Sequence, residues 1–155
     1  MGDAAMADSE YPVGKIRKIS ERCLSGEPIG DDLACWLGSS LKRFLDRDSS
    51  TIEEALGLKY ARGGVPWWLE EAIRKRDDAL RDLAAEHLSH LSAGEKAKMV
   101  NRMAIRYAAA GWRFDKQRTS PPRQYAGTEK EYLWIAFKSG ATMPIGERQL
   151  RNILI

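Results

Sequence analysis

The feature that most constrains the fold of this 155-residue chain is a helix-start signature found in three separate segments. Each copy is a Ser or Thr followed three residues later by Glu, at Ser50–Glu53, Ser92–Glu95 and Thr128–Glu131. In such a capping box the hydroxyl accepts a hydrogen bond from a free N–H of the first turn, and the Glu reaches back to the N–H of the capping residue. The chain is therefore predicted to be built from helices.

Further signals place the ends of these helices. Glycine enters the left-handed conformation without steric cost, so helix ends are expected at Gly57, Gly111 and Gly140. Apolar residues recur with helical spacing between the signals. The expected helices are one at about Val13–Leu24, one that starts at Gly30-Asp31-Asp32, a short one at Thr51–Leu56, one that opens at Pro66, and three more at Ala93–Ala110, Glu129–Ser139 and Ile145–Leu154.

No segment alternates apolar and polar residues over the length of a strand, and Trp112–Gly127 is expected to be a loop. The predicted fold is all-α, a single compact domain of six to seven helices over residues 11–155. Residues 1–10 are acidic and are expected to form a disordered tail.

Composition excludes several classes of protein. Hydrophobic residues make up 43% and charged residues 30% of the chain, as in ordinary globular proteins. No apolar run approaches the ~18 residues of a membrane span, and the N-terminus has no apolar core of a secretory signal. Cys23 and Cys35 are then expected to be buried, reduced thiols, and the protein to be cytoplasmic without a membrane partner.

Catalytic and metal-binding sets are poorly represented. His87 and His90 are the only histidines, and their H-x-x-H spacing on a helix could bring two imidazoles near one metal ion. No third ligand lies nearby in sequence, and histidines near a helix C-terminus are also favoured by the helix dipole. We therefore expect no catalytic residue, no metal, no cofactor and no enzymatic activity.

Positive charge is concentrated in the C-terminal third of the chain. Residues 99–155 hold ten Lys/Arg against four Asp/Glu, a balance of +6, whereas the whole chain carries +3. A basic region of this kind attracts polyanions such as nucleic acids.

The last predicted helix is amphipathic in a way that matters for recognition. On a helical wheel, Leu150, Ile153 and Leu154 share one arc. The opposite arc holds side chains that can make bidentate contacts with base edges in the major groove, namely Arg148, Gln149, Arg151 and Asn152. The alternative is a terminal helix that docks its apolar face on the core and leaves a basic back in solvent.

With the helix before it, this stretch resembles the helix-turn-helix of bacterial DNA-binding regulators. In that comparison Tyr132–Ser139 is the supporting helix, Gly140 the turn glycine and Arg148–Asn152 the reading face. The resemblance implies duplex DNA as the partner. It also allows a homodimer, because symmetric operators are bound by dimers.

The loop before this pair adds to the basic character. Its basic residues alternate with Trp112, Phe114 and Tyr125, which suggests a mobile basic-aromatic arm. We expect phosphate contacts, which make affinity salt-sensitive, from Arg113, Lys116, Arg118 and Arg123.

A protein–protein interaction module is the second expected class. Trp67 and Trp68 are adjacent and cannot both face one core, so at least one is a candidate anchor for a partner protein. The alternative is that neighbouring elements bury both, since chain segments converge at the first turn of a helix. The segment Ile52–Leu83 also looks like small uncharacterised proteins of bacteria and their mobile elements. That resemblance implies a bacterial or phage origin and no particular activity. The alternative to a DNA-binding regulator is thus an interaction module, for example a phage- or plasmid-encoded inhibitor of a host protein.

Overall fold

The computed structural model describes residues 11–144 and 146–155, and this part of the chain contains helices and no β-strand. The eight α-helices are α1 (Pro12–Ser25), α2 (Asp31–Leu45), α3 (Ile52–Ala55), α4 (Trp67–His87), α5 (Ala93–Ala110), α6 (Trp112–Asp115), α7 (Glu129–Lys138) and α8 (Glu147–Leu154). A 3₁₀ turn at Arg123–Tyr125 lies between α6 and α7.

The prediction of an all-α fold is confirmed. Seven of the eight helices coincide with predicted ones, and α6 is the addition, since it forms inside the segment that was expected to be a loop. The expected disordered tail at residues 1–10 and Ile145, the expected start of the last helix, lie outside the described residues.

Contacts along the backbone group the chain into two compact units, Met1–Trp67 and Trp68–Ile155. The sequence was interpreted as one domain over 11–155. The boundary falls between Trp67 and Trp68, the first two residues of α4, so the helix itself is not interrupted there. Unit boundaries depend on contacts between residues distant in sequence, and a local pattern carries no trace of them.

The N-terminal unit contains α1, α2 and α3. Helix α1 ends at Gly26, whose φ of 75° is left-handed. The ammonium of Lys15 in α1 lies 5.4 Å from the ring centre of Trp36 in α2. Of the apolar residues described in this unit, only Ile19 and Ala55 are fully buried.

The two cysteines correct an expectation. Cys23 and Cys35 are free thiols, but both are exposed rather than buried. Successive helical residues point about 100° apart, so apolar sequence neighbours can face inward while the cysteine does not.

The three expected capping boxes form to different degrees. The box at Ser92–Glu95 is complete. Only the hydroxyl half of the first box forms, one residue later than expected: Thr51 is the N-cap of α3 and its Oγ1 accepts from the N–H of Glu54 at 3.2 Å. Hydrogen bonds from the hydroxyl and the N–H of Ser50 then lower the pKa of Glu54 to about 2.

The third box is correct in position but not in bonding. Thr128 is the N-cap of α7, yet its hydroxyl donates to the carbonyl of Tyr125 at 2.7 Å instead of accepting from the helix. Glu131 accepts from the N–H of Gly127, also at 2.7 Å. The start of α7 is thus tied to the preceding 3₁₀ turn.

The C-terminal unit has a continuous apolar core. Its members come from α4, the turn after it, α5, α7 and α8 and include Leu80, Leu83, Leu88, Val100, Leu133, Trp134, Leu150 and Ile153. Arg76 is buried at the edge of this unit, where it pairs with Asp77 and donates to the carbonyl of Thr142. This bond fixes the connection between α7 and α8. Arg76, a charged residue of α4, therefore has a structural role.

Gly111 ends α5 for a reason other than the expected one. Its φ is −81°, which is right-handed, and α6 follows at once. A Cβ at this position would lie 2.7 Å from the ring of Tyr107. The glycine is required by close packing and not by a left-handed turn.

Candidate nucleic-acid interface

Helix α8 is held on the C-terminal unit by its apolar arc. Leu150 and Ile153 are buried, and α5 is the main packing partner of α8. The guanidinium of Arg81 in α4 donates to the carbonyl of Ile153 at 2.9 Å, which anchors the last turn. The apolar face thus docks on the core, as the alternative interpretation of this helix expected.

The opposite face of α8 lies in solvent. All four side chains assigned to the reading face are exposed, namely Arg148, Gln149, Arg151 and Asn152. The guanidinium of Arg151 lies over Gly94 at the start of α5, 3.7 Å from the position that a Cβ would take. The polar arc of α8 therefore lies next to the exposed surface of α5.

The exposed surface of α5 holds basic residues that were not predicted as part of the site. Lys98, Arg102 and Arg106 are exposed at successive i,i+4 positions, and we call them the α5 basic stripe. Lys98 and Arg102 line a shallow groove of about 290 Å³ together with Glu147, the first residue of α8. The four-residue spacing was visible in the sequence, but only the packing of α8 on α5 places Lys98 and Arg102 of this stripe beside α8.

The segment at 112–127 is not the mobile arm that was expected. It contains α6 and the 3₁₀ turn, and its anchor is the buried carboxylate of Asp115. One oxygen of Asp115 accepts hydrogen bonds from the hydroxyls of Tyr107 and Tyr125, each at 3.0 Å. The other oxygen lies 3.4 Å from the guanidinium of Arg118.

This anchor changes the acidity of both tyrosines. Burial, and then the hydrogen bond to the negatively charged Asp115, raises the pKa of Tyr107 and of Tyr125 above the ordinary value of 10. Both effects favour the neutral phenol, because a phenolate would be desolvated and repelled by the carboxylate. Asp115 is the lone acidic residue of the segment. That isolation among basic residues was the sequence signal that could have indicated its role.

Two side chains of α7 also hold this segment in place, through hydrogen bonds to its backbone carbonyls. The indole N–H of Trp134 donates to the carbonyl of Asp115 at 3.4 Å, and the ammonium of Lys138 donates to that of Lys116 at 2.8 Å. The basic side chains nevertheless point outward, since all four are exposed, namely Arg113, Lys116, Arg118 and Arg123.

The exposed cations of this segment are not equivalent. Arg118 is paired with Asp115, and the guanidinium of Arg113 lies 4.5 Å from the ring centre of Phe114. The segment begins at the C-terminal end of α5, about 15 Å along the helix axis from Arg102 at 1.5 Å per residue. The exposed cations of this segment therefore form a second basic region, which lies beyond the C-terminal end of α5.

The pair α7 and α8 can be compared with a helix-turn-helix in its connection. Residues 139–146 join the two helices, whereas the turn in that motif has three or four residues. Gly140 has a φ of 87° and so provides the expected left-handed glycine. The assignment of α8 as a reading helix stays a prediction.

Trp67 and Trp68 differ in exposure. Trp67 is half-buried and Trp68 is 53% exposed, and each takes part in an interaction within the chain. Their different environments follow from the angle between adjacent helical residues. Trp68 is thus the more accessible of the two candidate anchors for a partner protein.

The histidines do not form part of a larger ligand set. No group of three His, Cys, Asp or Glu side chains is placed to hold a metal ion in residues 11–144 or 146–155. The ring of His87 packs edge-on against Tyr132, with 5.8 Å between the ring centres. None of the helices in these residues has the length and apolar character that crossing a membrane requires.

No family model, curated protein or solved structure matches this chain.

Proposed function

We propose that this protein is a small DNA-binding regulator that contacts duplex DNA through its basic C-terminal third. The observation that carries the proposal is the division of α8 into two faces. Its apolar face is buried in the core, and its exposed face carries Arg148, Gln149, Arg151 and Asn152 beside the α5 basic stripe.

The two parts of this surface are suited to different contacts. Arg, Gln and Asn side chains make paired hydrogen bonds with base edges, and a short helix fixed to a folded unit presents them rigidly. The α5 basic stripe and the exposed cations at 113–123 are suited to phosphates, which position the protein but carry no sequence information. Base reading is therefore assigned to α8 and phosphate binding to the rest.

The test is a fluorescence-anisotropy titration with labelled duplexes of random and genomic sequence at low salt. We expect affinity to fall steeply with salt, because several Lys and Arg contacts release counterions together. Arg148→Ala and Arg151→Ala should each cost about 1–3 kcal/mol of binding free energy in a sequence-dependent way. Arg102→Ala should weaken binding to all sequences alike, and Arg62→Ala, in the other unit, is the matched control that should change nothing.

Absence of binding at protein concentrations on the order of tens of micromolar would remove the proposal, since non-specific DNA binding alone reaches that range. Equal losses for Arg62→Ala and Arg148→Ala would also contradict it, because binding would then follow net charge and not this surface.

The second candidate function is an interaction module that binds a host protein, as expected of a phage- or plasmid-encoded inhibitor. It is favoured by the exposure of Trp68 and of large apolar side chains in the N-terminal unit such as Leu24 and Leu45. Tryptophan is enriched among residues that dominate protein interfaces. Under this alternative, Trp68→Ala abolishes partner binding, whereas Arg148→Ala leaves it intact.

A further inference from the structure

A cavity of about 510 Å³ opens on the C-terminal unit, and its lining comes from α5, α7 and the segment between them, with no residue of α8. Met103, Ala110 and Leu133 supply apolar walls, and the aromatic rings of Tyr107 and Tyr125 supply two more. This volume is typical of sites that enclose a small molecule, and such sites combine mostly apolar walls with a few polar groups that fix orientation.

The two tyrosine hydroxyls in the walls of this cavity are already bonded. The hydroxyls of Tyr107 and Tyr125 both donate to Asp115. Each phenol has one proton to donate, so neither can donate a hydrogen bond to an occupant. The two rings pack edge-to-face, 6.5 Å between centres, and so contribute a continuous aromatic wall that favours a flat apolar body against it.

The lining also holds three charged side chains, Arg106, Glu129 and Lys130. Arg106 makes no ion pair with any residue in 11–144 or 146–155. The ammonium of Lys130 lies 5.4 Å from the ring centre of Tyr125, directly beside the apolar wall. Two cations and one carboxylate leave a balance of +1, which matches an occupant with a single negative charge.

We propose that this cavity is a binding site for a small aromatic monocarboxylate. The aromatic body lies against Tyr107, Tyr125 and Leu133, and the carboxylate pairs with Arg106 and Lys130. The planar guanidinium of Arg106 is suited to a bidentate contact with a carboxylate. Glu129 disfavours a second negative group. The site is separate from the polar arc of α8, and the proposal does not depend on DNA binding.

The test uses three probes of similar shape and different charge: phenylacetate, the neutral phenylacetamide and the cationic phenethylamine. Binding is followed by NMR chemical shifts of backbone amides in the full-length protein. We expect phenylacetate to bind with a dissociation constant on the order of 1 mM or lower, as small ligands of this size do. Its shifts should cluster at the cavity walls, and both other probes should bind at least about tenfold more weakly.

Two variants locate the contact. Arg106→Gln should weaken phenylacetate binding about tenfold and leave phenylacetamide binding unchanged, because only the charged contact is lost. Arg102→Gln, one turn earlier on the same helix, is the matched control and should change neither. Ala110→Phe places a ring in the cavity and should abolish binding of both probes, with the far-UV circular dichroism spectrum unchanged.

Several results would overturn the proposal. These are no shift with phenylacetate at millimolar concentration, equal binding of the acid and the amide, or equal losses with Arg106→Gln and Arg102→Gln. Shifts confined to the surface of α8 would also overturn it, since they would place the carboxylate on the basic surface outside the cavity.

Discussion

The two units of this protein bury very different amounts of apolar surface. In the C-terminal unit, Leu80 and Leu83 are completely enclosed in a core that four helices share. In the N-terminal unit, Leu24 and Leu45 are 86% and 76% exposed, although they lie in helices that are just as amphipathic in sequence. Since burial stabilises by about 25 cal/mol per Å² of apolar surface, stability is expected to reside mainly in the C-terminal unit.

The same contrast applies to polar and small residues. In the C-terminal unit, Asp115 and Gly111 are fixed by contacts that leave no room for change. In the N-terminal unit, Gly38 has no atom within 4 Å of the position of a Cβ. The difference teaches that an amphipathic pattern predicts a helix in both units, whereas dense packing around it is a property of only one.

The largest expected effect is that of a leucine truncation in the core. Leu83→Ala should lower the free energy of unfolding by about 2–5 kcal/mol, because the substitution leaves a cavity. Leu45→Ala is the matched truncation in α2 and should change it by less than about 0.5 kcal/mol. Urea denaturation followed by circular dichroism measures both. A large loss for Leu45→Ala would break the comparison and show that this side chain is buried in solution, for example against a second copy of the chain.

A pair of glycine substitutions should have effects of opposite sign. Gly111→Ala should destabilise the protein by about 1–3 kcal/mol, because its Cβ would meet the ring of Tyr107. Gly38→Ala, inside α2 and in open space, should stabilise it by about 0.5–1 kcal/mol through helix propensity. Thermal and urea denaturation of the two variants give the signs. A neutral Gly111→Ala would mean that the Tyr107 ring can move aside and that packing there is looser than the distances indicate.

The last expected effect is a dependence of stability on alkaline pH. The pKa of Tyr107 and of Tyr125 is raised above 10 in the folded protein, so the folded state keeps protons that the unfolded chain releases. Stability should therefore be complete below pH 10 and fall as the pH rises above it. Tyr107→Phe should cost about 1–2 kcal/mol at neutral pH through the lost hydrogen bond to Asp115, and should reduce the alkaline decline.

Urea denaturation at a series of pH values from neutral to alkaline tests this effect. A decline of equal slope in the wild type and in Tyr107→Phe would show that other groups cause it. Tyr107 would then have no part in the pH dependence.

Most helix positions could be predicted because their signals are local. Ser92 and Glu95 form their box within one turn of α5, and Gly57 follows α3 with a left-handed φ of 73°, as expected. The box at α3 moved by one residue, because Thr51 and Glu54 have the same spacing as Ser50 and Glu53. Where two overlapping motifs have the same spacing, contacts with the rest of the chain decide which of them caps the helix.

The candidate site could be predicted only in part for the same reason. The amphipathic division of α8 was visible on a helical wheel, and Leu150 and Ile153 are buried accordingly. That Lys98 and Arg102 flank α8, and that Asp115 fixes the basic segment at 112–127, could not be predicted. These relations join residues that are far apart in sequence.

By itself, the sequence determined the all-α class, the ends of most helices and the concentration of positive charge in the last third. Each of these depends on a residue's own backbone preference, on neighbours within one or two turns, or on composition. Only the tertiary structure decided which amphipathic faces became buried, why Gly111 must be glycine and where the cavity between Tyr107 and Leu133 opens. Those properties depend on contacts between side chains distant in sequence, where fit and enclosure decide the energy.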